Sequence, residues 1–274
     1  MRIGAHVRTP GGLRTAIDSA RVDGADAVQL FLSNPRAWAG PRPETAERFG
    51  AEWREAGVGP LYVHAPYLVN IASPNPEFVV KSLELCRRSV VACGIAHAAG
   101  FVVHAGSGGP GERGEAVSRA AATLRSILEE TQGTNLIVEL MADTSGSVAS
   151  RWSEAAELFD LVGDDRLRLC ADTCHLFVTG YGLDTAEGVD ACFEELDAAG
   201  IGDRLVLIHA NDARFPRGSR RDRHENVGEG EIGLEGFRAI LARPEVADLS
   251  VVVETPHGGE AHRRDIERLR SLLP

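Results

Sequence analysis

Eight short apolar runs, spread along the whole chain and separated by longer amphipathic stretches, constrain the fold more than any other feature. The runs cover residues 2–7, 27–32, 61–65, 101–105, 135–140, 167–172, 204–209 and 250–255. Each is nearly continuous in apolar, β-branched character, as strands buried on both faces should be. Helical periodicity occupies the gaps. It is longest over 76–98, where Phe78, Val79, Leu83, Leu85, Val90 and Val91 are spaced for one buried stripe, and it returns over 112–132, 153–162, 185–199, 234–241 and 260–272. Gly11-Gly12, after Pro10, reads as the start of a helix behind the first strand, and Ser153 with Glu154 and Glu157 reads as a capped N-terminus. Eight strands alternating with helices predict an α/β protein: a single (β/α)8 TIM barrel over 1–274, with its active site at the C-terminal ends of the strands. An open doubly wound sheet is the competitor, but no glycine fingerprint follows the first strand. The glycine-rich stretch 106–115 follows a strand and reads as a mobile barrel loop.

The residues that end these strands carry the chemistry. His6 lies near the end of the first, His64 ends the third, His104 the fourth and Glu139 the fifth. Asp172 ends the sixth with His175 just beyond, His209 ends the seventh and Glu254 the eighth. The stretch after His209, ANDARFPRGSRRDRHENVGEG, adds Asp222 and His224 in a loop bearing five arginines. A lone histidine at a strand end is usually a hydrogen-bonded core residue, but so many ends converging on one barrel mouth are not explained that way. Imidazole nitrogen and carboxylate oxygen are zinc ligands, and one open zinc site uses three or four of them. His64, His104, Glu139, Asp172, His175, His209, Asp222, His224 and Glu254 exceed the needs of one ion, so two or three ions are expected, with a carboxylate bridging some pair. Clustered divalent ions suit phosphate-ester hydrolysis. His97, His257 and His262 fall in helical or surface contexts and read as ordinary residues.

A net charge of −11 argues, taken alone, against a nucleic-acid partner. Lys81 is the only lysine, however, so nearly all positive charge is arginine, the better phosphate fork. Bound metal would add positive charge that the tally omits. Five cysteines without a paired framework point to reduced thiols. The opening residues lack a signal-peptide core and no apolar run is long enough to span a bilayer, so a cytoplasmic protein without membrane contact is expected.

VHAPYL (63–68), VVHAGS (102–107), LCADTCH (169–175), the HAND…DRH block (209–224) and VVETP (252–256) resemble the motifs of the endonuclease IV family of apurinic/apyrimidinic endonucleases, as do GAHVRTPGG (4–12) and LFLSNPRAW (30–38). The resemblance covers essentially the whole chain. It implies a (β/α)8 barrel with three zinc ions, manganese being possible at one position, that cuts double-stranded DNA 5′ to an abasic site. Carried over by position, His64, His104 and Glu139 would hold one ion. Glu139, the residue on which catalysis should depend, would bridge to a second ion shared with Asp172, His209 and Glu254. His175, Asp222 and His224 would hold the third. Arg36, Tyr67 and Leu68 match the residues that the family inserts at the lesion, and Arg214 and Arg223 would meet DNA phosphates. A monomer is expected. The chain departs from the pattern at ELMADTSGS (139–147), where Leu140 and Met141 replace polar residues, and at Ser33 and Arg214. Single-metal sugar isomerases and epimerases of the same barrel superfamily are the alternative: Glu139, Asp172, His209 and Glu254 alone would serve them. A non-catalytic descendant that binds damaged DNA is a further alternative.

Overall fold

The computed structural model describes residues 1–129 and 133–274. Eight parallel strands close into a barrel: β1 (Arg2–His6), β2 (Val28–Leu30), β3 (Leu61–His64), β4 (Gly100–His104), β5 (Asn135–Glu139), β6 (Leu167–Asp172), β7 (Leu205–His209) and, after a small antiparallel ladder of β8 (Asp212–Ala213) with β9 (His224–Glu225), β10 (Ser250–Val253). The seam pairs the first strand with the last, Arg2 opposite Ser250 and Ala5 opposite Val253. The barrel is thus the predicted one. Its helices are α1 (Thr15–Asp23), α2 (Pro43–Ala56), α3 (Pro76–Ile95), α4 (Arg113–Leu128), α5 (Trp152–Val162), α6 (Thr173–Thr179), α7 (Ala186–Ala198), α8 (Gly233–Leu241) and α9 (Glu260–Ser271).

Local boundaries differ from the sequence reading for identifiable reasons. α5 starts at Trp152, so Ser153 is inside the helix and caps nothing; instead the Glu154 carboxylate accepts the Ser150 N–H at 2.8 Å. α1 starts at Thr15, whose hydroxyl donates to the Gly12 carbonyl, so the glycine pair forms the preceding turn. The last residues of the predicted helix 112–132, 130–132, lie outside the described residues. The glycine-rich stretch after β4 is tied down: Ser107 bridges to Ser147, the Gly108 N–H donates to the Gly146 carbonyl at 2.8 Å, and the Asn70 amide clasps both backbone groups of Ser107.

The barrel interior is built in layers. Ala27, Tyr62, Val102, Ile137, Cys170, Leu207 and Val252 form a closed apolar cluster of their own, one from each strand or strand entry other than β1. β1 has room there only for Gly4, where a Cβ would lie 1.6 Å from the Ala27 carbonyl oxygen. Side chains two apart on a strand share a face. Two residues on from that layer, towards the strands' C-terminal ends, stand His6, Gln29, His64, His104, Glu139, Asp172, His209 and Glu254. The register sets them side by side, with His6 opposite Gln29, His104 opposite Glu139 and Asp172 opposite His209. The apolar layer is a floor, and the ring above it is polar.

Candidate metal centre

Six of the predicted ligands come from this ring and three from the segments above it: His175 on α6, Asp222 on the loop before β9 and His224 on β9. The sequence of α6 begins where β6 ends. Asp172 caps that helix by accepting the His175 N–H at 3.0 Å, which brings His175 back over the mouth. The β8–β9 ladder pairs Ala213 with His224 and so returns Asp222 and His224 to the same place. The ligand atoms of His64, His104 and Glu139, of Glu139, Asp172, His209 and Glu254, and of His175, Asp222 and His224 form three groups, each with its atoms within 4.8 Å of one another. All nine predicted ligands are therefore brought together, in the groupings that the family resemblance implied.

His64, His175 and His224 share one arrangement. His64 Nδ1 donates to the Ala65 carbonyl at 2.7 Å, and its Nε2 lies 3.1 Å from Glu139 Oε2. His175 Nδ1 donates to the Leu140 carbonyl at 2.8 Å, and its Nε2 lies 3.3 Å from Asp222 Oδ2. His224 Nδ1 donates to the Glu254 carbonyl at 3.2 Å, and its Nε2 lies 3.5 Å from both Asp172 Oδ2 and Asp222 Oδ1. One ring nitrogen is thus fixed as the donor and the other faces carboxylates, as in metal-ligating imidazoles held by an outer partner. His104 Nε2 faces Glu139 Oε2 at 3.5 Å. The departure at Leu140 is immaterial to this anchoring, because His175 uses the backbone of residue 140 while the leucine side chain is buried in the core.

Carboxylates are held equally firmly. The Asn211 amide donates to Asp172 Oδ2 at 2.6 Å and accepts the Glu254 N–H at 2.7 Å. Burial alone would raise the Glu139 carboxyl, but His209, His104 and His64 outweigh it and hold it well below the usual carboxylate range. Burial likewise opposes ionisation of Asp222, which His175 and His224 nonetheless bring down to about 2. His209 and His175 are pushed the other way: burial disfavours their charge, yet the anionic groups around them raise both well above the ordinary histidine value. His104 and His6, dominated by burial, are lowered.

Do these residues fit metal ions? Among the described residues, the buried side-chain atoms with no hydrogen-bond partner include Glu139 Oε1, His209 Nδ1 and His224 Nε2. Each is a predicted ligand atom, and each belongs to a nitrogen–oxygen set of the kind zinc selects. Cys174 also lies near Asp172 and His224. Burial pushes its thiol up, and it donates to the Arg223 carbonyl at 3.6 Å, so it is a hydrogen-bonded core residue.

The mouth is a cavity of about 810 Å³ lined by ring and loop residues, with Arg8, Arg36 and Tyr67 at its rim. Tyr67 is 66% exposed and its ring meets Phe31 edge-on, the centroids 5.0 Å apart. Leu68 is half-buried and does not line the cavity, and neither do Arg214 and Arg223, which are exposed on the loop beside it. Arg223 instead donates to the Asp222 carbonyl. His262 lies in α9, a helical context as read, and is buried at the rim with its Nε2 donating to the Thr255 carbonyl at 3.0 Å. Gln29 and Asn211 escape the sequence reading because amides are not ligand types, and His6, although near a strand end, falls outside the predicted set. The signal that finds Gln29 and His6 is the two-residue offset from the apolar floor.

A closed parallel barrel whose mouth is crowded with histidine and carboxylate donors defines a xylose isomerase-like TIM barrel, and the profile of that family matches residues 17–272. Within it, the chain belongs to the endonuclease IV family. A Streptomyces avermitilis protein named "Probable endonuclease 4" is 38% identical over 279 residues, covering 98% of this chain and 89% of its own length. The crystal structure of endonuclease IV from Thermus thermophilus superposes with a TM-score of 0.85 at 31% identity, covering 99% of this chain and 98% of that one. A D-tagatose 3-epimerase-like protein superposes with a TM-score of 0.76 over 99% of this chain and 97% of its own, but at 20% identity this likeness shows the fold alone.

Proposed function

We propose that this chain is a cytoplasmic, monomeric DNA-repair endonuclease that hydrolyses the phosphodiester 5′ to an abasic site in duplex DNA, using about three zinc ions, with manganese possible at one position. The observation that carries this reading is the set of three adjoining donor groups, two of which share Glu139, together with relatives named endonuclease 4. His64, His104 and Glu139 would hold one ion, Glu139, Asp172, His209 and Glu254 a second, and His175, Asp222 and His224 a third. When bound, such ions stabilise the charge that develops on the oxygens of a phosphoryl group and activate water near neutral pH. The protein's part is placement. Asn211 and the backbone carbonyls of Ala65, Leu140 and Glu254 keep the donors aimed inward, and Arg36 and Arg8 at the rim are suited to hold flanking phosphates by guanidinium forks. Among the described residues no helix is long and apolar enough to cross a membrane.

The deciding experiment is incision of a duplex bearing one abasic site by metal-loaded protein, with EDTA-treated protein beside it. Cleavage 5′ to the site that EDTA abolishes, with close to three zinc per chain, is expected. One ion per chain and no incision would favour single-metal sugar chemistry at Glu139, Asp172, His209 and Glu254.

Tyr67 gives a second test. Its ring stands at the rim against Phe31, and in this reading it would enter the gap left by a missing base. Stacking of an aromatic side chain on a base is worth about 1–3 kcal/mol, so Tyr67→Ala should lower the ratio of abasic to intact duplex affinity by about tenfold. Metal content should not change. Leu68→Ala, at a half-buried position off the cavity, should lower thermal stability more than discrimination. Intact discrimination in folded Tyr67→Ala protein would remove the wedge role.

A further inference from the structure

We infer that Gln29 is a positioning residue for this centre: it fixes the proton of His209 on Nε2 and so presents the Nδ1 lone pair to a cation shared with Glu139, Asp172 and Glu254. The inference rests on the reading that this four-donor group holds a metal. Gln29 is fully buried and occupies the ring position of β2, one of two strands whose ring residue is not a predicted ligand. Its amide meets three partners. Nε2 donates to Glu254 Oε1 at 2.5 Å and lies 3.0 Å from His6 Nδ1, while Oε1 lies 3.0 Å from His209 Nε2.

The direction of each bond follows from the chemistry. A carboxylate oxygen only accepts, so the NH2 of Gln29 must face Glu254; the reversed amide would press two oxygens together. The amide oxygen then faces His209 and it, too, only accepts. His209 Nε2 must therefore carry a proton, and in neutral imidazole Nδ1 keeps its lone pair. That Nδ1 lies 3.2 Å from Glu139 Oε1 and 3.5 Å from Glu254 Oε2, and it has no hydrogen-bond partner. A lone pair facing two carboxylate oxygens is repulsive until a cation stands between them. Gln29 thus disfavours the other tautomer, in which Nδ1–H would satisfy the carboxylates and leave no nitrogen for a metal. His6, with Nδ1 2.9 Å from Glu254 Oε1, engages the same oxygen as Gln29 and leaves Oε2 to the centre.

Zinc affinity, measured by competition with a chelator, tests this in Gln29→Met, which keeps the volume and removes the amide. Outer partners of metal-ligating histidines typically contribute about 10–100-fold in affinity, and a loss of that size for one of the bound ions is expected. A merely structural role would lower the melting temperature of zinc-free protein and leave the affinity of the folded variant unchanged. Nitrogen-15 correlation spectra of zinc-loaded wild type need no variant: His209 should show a proton on Nε2 and a coordinated Nδ1. A zinc affinity within about twofold of wild type in folded Gln29→Met, well short of that loss, or a proton on His209 Nδ1, overturns the assignment. Wild-type protein that takes up no zinc overturns the parent reading instead.

Discussion

Glu139→Gln should reduce incision of abasic duplex about a thousandfold, a loss of about 4 kcal/mol of transition-state stabilisation. Both oxygens of Glu139 face histidine nitrogens, and Oε1 has no hydrogen-bond partner. Oε1 lies 3.2 Å from His209 Nδ1 and 3.5 Å from His175 Nδ1, and Oε2 lies 3.1 Å from His64 Nε2 and 3.5 Å from His104 Nε2. The carboxylate therefore belongs to two of the three donor groups and borders the third at His175. An amide replaces one of these oxygens by an NH2 that donates and cannot ligate, and it removes the negative charge that balances two cations. The shape is unchanged, so the melting temperature of metal-free protein should stay close to wild type. Metal analysis should show at least one ion lost. Wild-type incision by pure Glu139→Gln protein would refute the bridging role.

Asp212→Ala should be the most destabilising single change near the site. The buried carboxylate of Asp212 accepts backbone N–H groups from Ala213, Gly228, Gly230, Ile232 and Gly233, at 2.8 to 3.3 Å. It pins the start of the loop that carries Asp222 and His224 to the start of α8. Alanine would strand several of these donors, and a buried donor without a partner costs about 1–3 kcal/mol. Partial relaxation of the loop offsets part of that sum, leaving about 3–5 kcal/mol. For a chain of this size that corresponds to a fall in Tm of about 10 °C. Zinc should be lost first from the group containing His175, Asp222 and His224. Asp212→Asn keeps one accepting oxygen and should fall between the two. An unchanged Tm in Asp212→Ala would show that the loop does not depend on this clasp.

Much of this is legible in the sequence because a barrel turns periodicity into position. Strands buried on both faces appear as continuous apolar runs, and the residue that breaks the run at its C-terminal end points into the mouth. His64, His104, Glu139, Asp172, His209 and Glu254 each do so. Gln29 does not stand out, since it interrupts a run that continues through Leu30, Phe31 and Leu32. The helix α2 escapes the sequence reading although Pro43 sits at its first position, where a missing N–H costs nothing. α6 is hidden because its seven residues follow Asp172 without a turn, and the residue that ends the strand is also the helix cap. The rim is the least legible part. Leu68 and Tyr67 are neighbours in sequence, but backbone direction at a loop, which composition does not report, sends only Tyr67 to the cavity.

The pairing of β1 with β10 has a consequence for how the chain acquires its metals. Glu254 follows β10, which docks between β7 and β1, so the four-donor group is complete only once the last strand has closed the barrel. Joining segments so far apart carries a loop-closure entropy that grows with the logarithm of the intervening length. A cation that binds the closed barrel and not the open one lowers the free energy of the closed form by RT ln(1 + [L]/Kd). During synthesis, the groups containing His64, His104, His175, Asp222 and His224 emerge before Glu254 does. If the proposed ions bind, metal supply would favour chain closure: a nascent or C-terminally truncated chain holds several donors, but only the finished barrel presents them all.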